Sequence, residues 1–570
     1  MRLSPSLLLV LTACTGVVFD GPASVDTPAT DVDLPGEDCT TAPGVAPLRR
    51  LPQRQYRQTV VDVLTESGLG SLLPSITPAL DAVPPDSPLT YLSHDARLSA
   101  EHVSAWFAVA TGVGDGLEQS ATARAALVGP CGNEARFTEA CRSRLFEGFG
   151  RRVLRRPLTN DERAELTAVA DAARSGPEAL RAMVVVLMLS PAFLNQVEVD
   201  GAPRGPGGPL ELTSFELASR LASTYWRSTP DDALLDAAAN GTLATEAGFR
   251  AQLDRVFADP RTRRGLWAFW QEWLKLEAFP GFSTDRPGFR ALTRGLNFSG
   301  DPWADMTDEI RRLTERHTFE TPTSMDALLT TTDSVTPSPV LAGLYGVPPW
   351  NGQGAPPTLS NRQGLLQRAA LLASNQEQTN PFHRGAVMRR ALLCDVLPQP
   401  DPVALPPGAL DPPPVSATST TRQRYEAKIA GNTLCTGCHQ SFSDLGYVQE
   451  AFDALGRFRT TERVFDEQTG ALLAELPLNV EGLPRVRFED DRPVRDAAEL
   501  NERIVESGRV HACLVRNFTA TSLRRSARTG ADRCAEARVA RRLRDGGTLA
   551  EAFKAIALEP SFRLRTVEAP

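Results

Sequence analysis

Apolar residues recur at helical spacing through most of the chain, and threonine–glutamate pairs stand where the runs begin. An N-cap Thr accepts a backbone N–H three residues on, and a Glu at that third position reaches back to the cap, so a Thr-x-x-Glu pair marks a helix start. Thr159 with Glu162 and Thr213 with Glu216 have this spacing. In LTSFELASRLASTYW, Phe215, Ala218, Leu221, Ala222, Tyr225 and Trp226 form one apolar stripe. Leu48 to Leu64 places Tyr56, Val60, Val61 and Leu64 on one helical face. Pro230 suits a first turn, Asn240-Gly241 a stop, and a further helix is expected from Thr245 to Asp259. Trp267, Trp270 and Trp273 follow every third residue and read as helix-packing anchors, with a redox or ligand role as the alternative. AMVVVLMLSPAFLN from Ala182 and AFKAIALEPSFRL from Ala552 echo one another, two apolar helices ending in Pro-x-Phe. These patterns predict a mostly α protein of several consecutive helical modules.

The 570 residues are enough for three or four compact units. With 42% apolar and 23% charged residues the chain is neither disordered nor collagen-like, and it is not a multi-span membrane protein. Its net charge of -8 gives no nucleic-acid footprint. The expected divisions are a signal over 1–14, a flexible tether over 15–47, helical modules over 48–130 and 131–200, and a Trp-rich helical module over 208–345. A module over 358–460 contains the Pro-rich linker Val396 to Ser416 and a Cys-containing motif. A small β or irregular insert follows over 461–495, then a C-terminal helical module over 496–570.

Arg2 followed by Leu7 to Leu11 reads as an export signal, too short an apolar run to span a bilayer. Leu11-Thr12-Ala13-Cys14 resembles a bacterial lipobox, which implies acylation of Cys14 and a lipid anchor in the cell envelope, with the outer membrane favoured. An ordinary signal peptide is the alternative.

Cys435-Thr436-Gly437-Cys438-His439 is a C-x-x-C-H motif, the attachment pattern of one covalent haem c. Two thiols about one helical turn apart meet the two vinyl groups, and the adjacent imidazole becomes the proximal ligand of the iron. Half of a zinc site, a thioredoxin-like pair and a plain disulfide are the competing readings. No second C-x-x-C exists for the first, and no βαβ setting for the second.

The chain resembles large exported bacterial proteins built of domains of unknown function 1587, 1595, 1592, 1588 and 1585 with a cytochrome-c-like C-x-x-C-H segment. LRRLPQRQYRQTVVDVL is similar to the first module, and CRSRLFEGFGRRVLRRPLTNDERAEL from Cys141 to the second. LTSFELASRLASTYW through FWQEWLKLE resembles the third. RQGLLQRAALLASNQEQTNPFHRGAVMRRALLC with CTGCHQSFSDLGYVQEAFDALGRFR resembles the fourth, and ELNERIVES with LEPSFR the fifth. The resemblance implies a haem and a compartment, and no substrate. Family members tend to continue C-H-x-x-M-D-P; here Phe442 stands at the Met position, Ser443 at the Asp and Asp444 at the Pro. A phenyl ring cannot bind iron, so the distal position is open or filled from elsewhere.

The chain has only six His and six Met, and His383, Met388 and His511 are the distal candidates. Arg457 and Arg459 are candidates for the haem propionates, or else form a solvated turn. Glu450 and Asp453 read as a solvent-facing acidic pair. With Cys14, Cys435 and Cys438 assigned, six of the nine Cys remain, an even number that predicts disulfides. The expected pairs are Cys131–Cys141, Cys513–Cys534 and, by remainder, Cys39–Cys394.

No hydrolase or transferase signature is present. The leading expectation is an exported, lipid-anchored haem c protein that transfers electrons to or from a redox or envelope partner, with the modules as scaffold or docking surface. The alternatives are a cell-envelope binding or structural lipoprotein with a degenerate haem segment, and catalysis at a five-coordinate haem. The oligomeric state is not legible in the sequence.

Overall fold

The computed structural model describes residues 39, 42–45, 48–86, 98–206, 208–296, 301–397, 405, 407–524 and 530–566. They are mostly helical, with small antiparallel sheets of two or three strands. No helix among them is long and apolar enough to cross a membrane. Cys14 and the signal lie outside the described residues.

The capping boxes at Thr159 and Thr213 form as expected, each with reciprocal bonds to its glutamate. Thr245 caps the Glu246–Ala258 helix, and Asp259 ends it. The first helix begins at Gln53 rather than Leu48. Pro52 is its N-cap and biases Leu51 toward extended backbone, and Arg49–Arg50 before it pairs with Asn195–Gln196 as a short strand.

The apolar side chains gather into two cores. One runs from Leu51 to Leu194 and joins the Gln53–Glu66, Ala100–Gln119 and Gly176–Met188 helices. The other runs from Leu212 to Phe562 and takes in the Trp-rich helix Pro260–Trp273, the motif-bearing region and the last helices. The expected modules over 48–130 and 131–200 therefore share one interior, and those over 208–345, 358–460 and 496–570 share another. Such short helical pieces leave too much apolar surface exposed alone, so they bury it against one another. Trp270 and Trp273 are buried anchors; the Trp273 indole N–H donates to the Ala391 carbonyl at 2.6 Å.

The sequence echo has a structural counterpart. Arg49–Arg50 pairs with Asn195–Gln196, and Leu210–Glu211 pairs with Leu564–Arg565, both antiparallel. Leu51 donates its N–H to Leu194 O at 2.8 Å, and Leu212 donates to Arg563 O at 3.0 Å. Each Pro-x-Phe segment buries its phenylalanine, Phe193 or Phe562, and receives an arginine: Arg155 donates to the carbonyls of Ala192, Phe193 and Asn195, and Arg220 to those of Phe562 and Leu564. Both cores are closed by the same clasp between the first and last segments of the unit. The β insert is the hairpin Thr461–Phe465 with Leu472–Pro477.

Three disulfides form: Cys39–Cys534, Cys131–Cys141 and Cys394–Cys513. The expected pairs Cys513–Cys534 and Cys39–Cys394 are replaced. Cys513 lies on the Arg509–Leu523 helix, which packs on the turn ending at Cys394, and its sulfur also meets Ala391 O at 3.1 Å. Cys534, on the next helix, Gly530–Arg544, joins Cys39 from the far end of the chain. Nearness in sequence across a helix pair did not translate into facing sulfurs.

Candidate functional site

The C-x-x-C-H motif lies on one short helix, Thr433–His439. Asn432 opens it, its Oδ1 accepting the Cys435 N–H at 3.2 Å. Cys435 and Cys438 are the free cysteines among the described residues; Cys438 is exposed and Cys435 half-buried. Three positions apart on a helix, they share a face. Between them, a side chain on Gly437 would meet open space. Burial pushes the Cys438 thiol up; the Arg390 charge works against that, and Cys435 adds to it.

His439 sits among aromatic rings. Phe382 is 4.0 Å away between centroids and Phe442 4.7 Å. Phe382 also packs edge-on against Tyr425 at 4.7 Å and lies 6.1 Å from Tyr447. Burial lowers the imidazole below its ordinary value, which favours the neutral ring. Its Nδ1 lies 3.2 Å from Ser443 Oγ. With the proton on Nδ1 donated to that hydroxyl, Nε2 keeps its lone pair for a metal, the usual division of labour in a ligating histidine.

This arrangement depends on two glycines. The helices Pro381–Val387 and Ser443–Tyr447 touch backbone to backbone. A Cβ on Gly385 would run into the Phe442 carbonyl, and one on Gly446 into the Pro381 carbonyl. The close approach brings Phe382 onto His439. Arg384, on the same helix, is buried and donates to the carbonyls of Leu372, Gln449, Phe452 and Asp453, locking the helix to the segment after the motif.

The other expected residues are distributed as follows. Arg457 turns to Asp453 at 2.9 Å, and Arg459 to Glu450 at 2.8 Å. Glu450 and Asp453 are buried, not solvent-facing, and Glu450 also accepts from Thr379 Oγ1 at 2.7 Å. The two arginines thus neutralise interior carboxylates. Met388 is buried; its sulfur lies 3.7 Å from Gln449 Nε2, beside an internal cavity of about 20 Å³. His511 is buried with Nε2 2.8 Å from Asp326 Oδ1. His383 is exposed and follows Phe382 directly.

Sequence reasoning missed Phe382, Ser443 as a histidine partner, and Arg390. Arg390 acts electrostatically on both Cys438 and His383, and its described hydrogen bond goes to Leu397 O at 3.3 Å rather than to a carboxylate. Glycines placed in two helical runs were the available signal for the close packing.

Among the described residues no cluster of three or more His, Cys, Asp or Glu could hold a bare metal ion. A haem brings its own four nitrogen ligands and needs only axial ones, so a single imidazole with an open Nε2 and two free thiols on one helical face fits it. Comparison with known families agrees with the modular architecture. Residues 141–198, 212–347 and 362–462 match models of proteins of unknown function, DUF1595, DUF1592 and DUF1588 in chain order; the short name of the last is PSCyt3. The chain is a multi-module protein carrying these three domains of unknown function. No curated protein and no solved structure matches it.

Proposed function

We propose that the protein is an exported haem c protein that transfers electrons in the cell envelope, carrying one covalent haem and held to a membrane, the outer membrane favoured, by lipid on Cys14. The observation that carries this reading is the set-aside of Cys435 and Cys438. The other described cysteines are all oxidised in pairs, whereas these two stay free, on one helix, next to a histidine whose Nδ1 is engaged. The three disulfides fit an oxidising compartment, where c-type haem is also attached. The short name PSCyt3, with its cytochrome abbreviation, supports the same assignment for residues 362–462.

In this reading Cys435 and Cys438 form the thioethers and His439 Nε2 is the proximal ligand. Phe382 and Phe442 pack against the imidazole, and Tyr425 and Tyr447 support Phe382 from behind. Arg390, whose charge acts on Cys438, joins Arg457 and Arg459 as a guanidinium that a propionate would pair with. Bound haem supplies one-electron exchange between its ferric and ferrous states. The helical modules serve as scaffold and docking surface for a redox or envelope partner protein.

The test is a pyridine haemochrome spectrum of protein from a host that assembles c-type cytochromes, beside a Cys435→Ala/Cys438→Ala control. One covalent haem per chain, lost in the control, is expected. A folded protein without haem overturns the reading.

A further inference from the structure

We infer that His383 is the second axial ligand of this site, supplied from a separate helix in place of the methionine that Phe442 replaces; the inference rests on the haem reading above. Two observations carry it. First, the alternatives among the described residues are used up. Met183, Met188, Met306, Met325 and Met388 are all buried in the cores, and so are His102, His317 and His511. Among the described residues His383 is the histidine left exposed, and its imidazole has no hydrogen-bond partner there.

Second, the fold brings its helix to the motif. Phe382, the preceding residue, has its ring 4.0 Å from that of His439. The glycine contact through Gly385 and Gly446 holds this helix backbone to backbone against Ser443–Tyr447, the helix that follows the motif. Arg384, buried and bonded to four carbonyls, prevents the helix from sliding. A ligand on such a clamped helix is held in advance of binding, which lowers the cost of ordering it.

A six-coordinate iron favours electron transfer over small-ligand chemistry.

The experiment uses the full-length, haem-loaded protein, with haem content first measured as pyridine haemochrome. Near-infrared magnetic circular dichroism and electron paramagnetic resonance of the ferric form then read the axial pair. The wild type is expected to be low-spin with two histidines and to resist carbon monoxide when reduced. His383→Ala, at an exposed position, is expected to keep its covalent haem, lose the low-spin signal and bind carbon monoxide. His383→Met is expected to restore a low-spin state with a histidine–methionine signature and a higher potential. Loaded wild type that is already high-spin, or a His383→Ala spectrum unchanged from wild type, overturns the inference while leaving the haem reading intact. Absence of covalent haem from the wild type overturns both.

Discussion

The rings of His439 and Phe382 lie 4.0 Å apart, although they come from opposite sides of a Pro-rich linker. The contact exists because Gly385 and Gly446 let their two helices meet without side chains between them. The motif's histidine is thus placed by packing far from the motif itself, and loss of that packing is expected to be felt at the site.

Gly446→Ala should therefore be severe. The added methyl collides with the Pro381 carbonyl, and overpacking of this kind costs about 3 kcal/mol. Gly437→Ala, whose Cβ meets open space, should be neutral or raise stability by up to ~1 kcal/mol through helix propensity. Urea unfolding midpoints of the two variants separate these outcomes.

The disulfide pattern gives a chemical test. Proteolysis without reduction should yield linked peptides for Cys394–Cys513 and Cys39–Cys534, and none joining Cys513 to Cys534. Removing the Cys394–Cys513 bridge as the double serine variant should cost about 3–4 kcal/mol, because it closes a long loop.

Arg459→Ala should destabilise without emptying the site. It leaves the buried Glu450 carboxyl with Thr379 and the more distant Arg384, and stripping a partner from a buried pair costs about 3–5 kcal/mol. Haem content per folded chain should be unchanged. A loss of haem with unchanged stability would make the propionates the main partner of Arg459.

His317 predicts an acid-sensitive step away from the site. Burial pushes its imidazole down to about 4, with the charges of Arg316 and Arg368 adding to the effect, and its Nδ1 lies 2.5 Å from Thr323 Oγ1. The folded pKa is below the unfolded one, so the unfolded chain takes up the proton first as pH falls. This contribution to stability is present above about pH 6.5 and is lost toward pH 4, up to ~3 kcal/mol. Unfolding free energies across this window should slope less in His317→Asn than in the wild type.

Much of the local structure was written in neighbouring residues. Thr159 and Thr213 cap helices because the partner glutamate is three positions away, and Cys435, Cys438 and His439 share one helix because their spacing is short. The Pro-x-Phe echo was visible for the same reason, since both copies repeat one local sequence. These features depend on interactions within a turn or two, and sequence alone determined them.

Tertiary structure decided which distant groups meet. Glu450 and Asp453 have the spacing of a wet helix face, yet both are buried, and Arg457 and Arg459 pair with them because a buried carboxylate needs a cation. Cys534 turned to Cys39 and Cys513 to Cys394 because each helix presents its sulfur to the element it packs against, not to the nearest cysteine in the chain. Met388 turned inward and His383 outward from the same helix and the turn that extends it; their distance apart showed only that they would not share a direction, and the core on one side decided which was buried. Long-range pairing is set by how whole apolar faces are covered, and no short stretch of sequence carries that information.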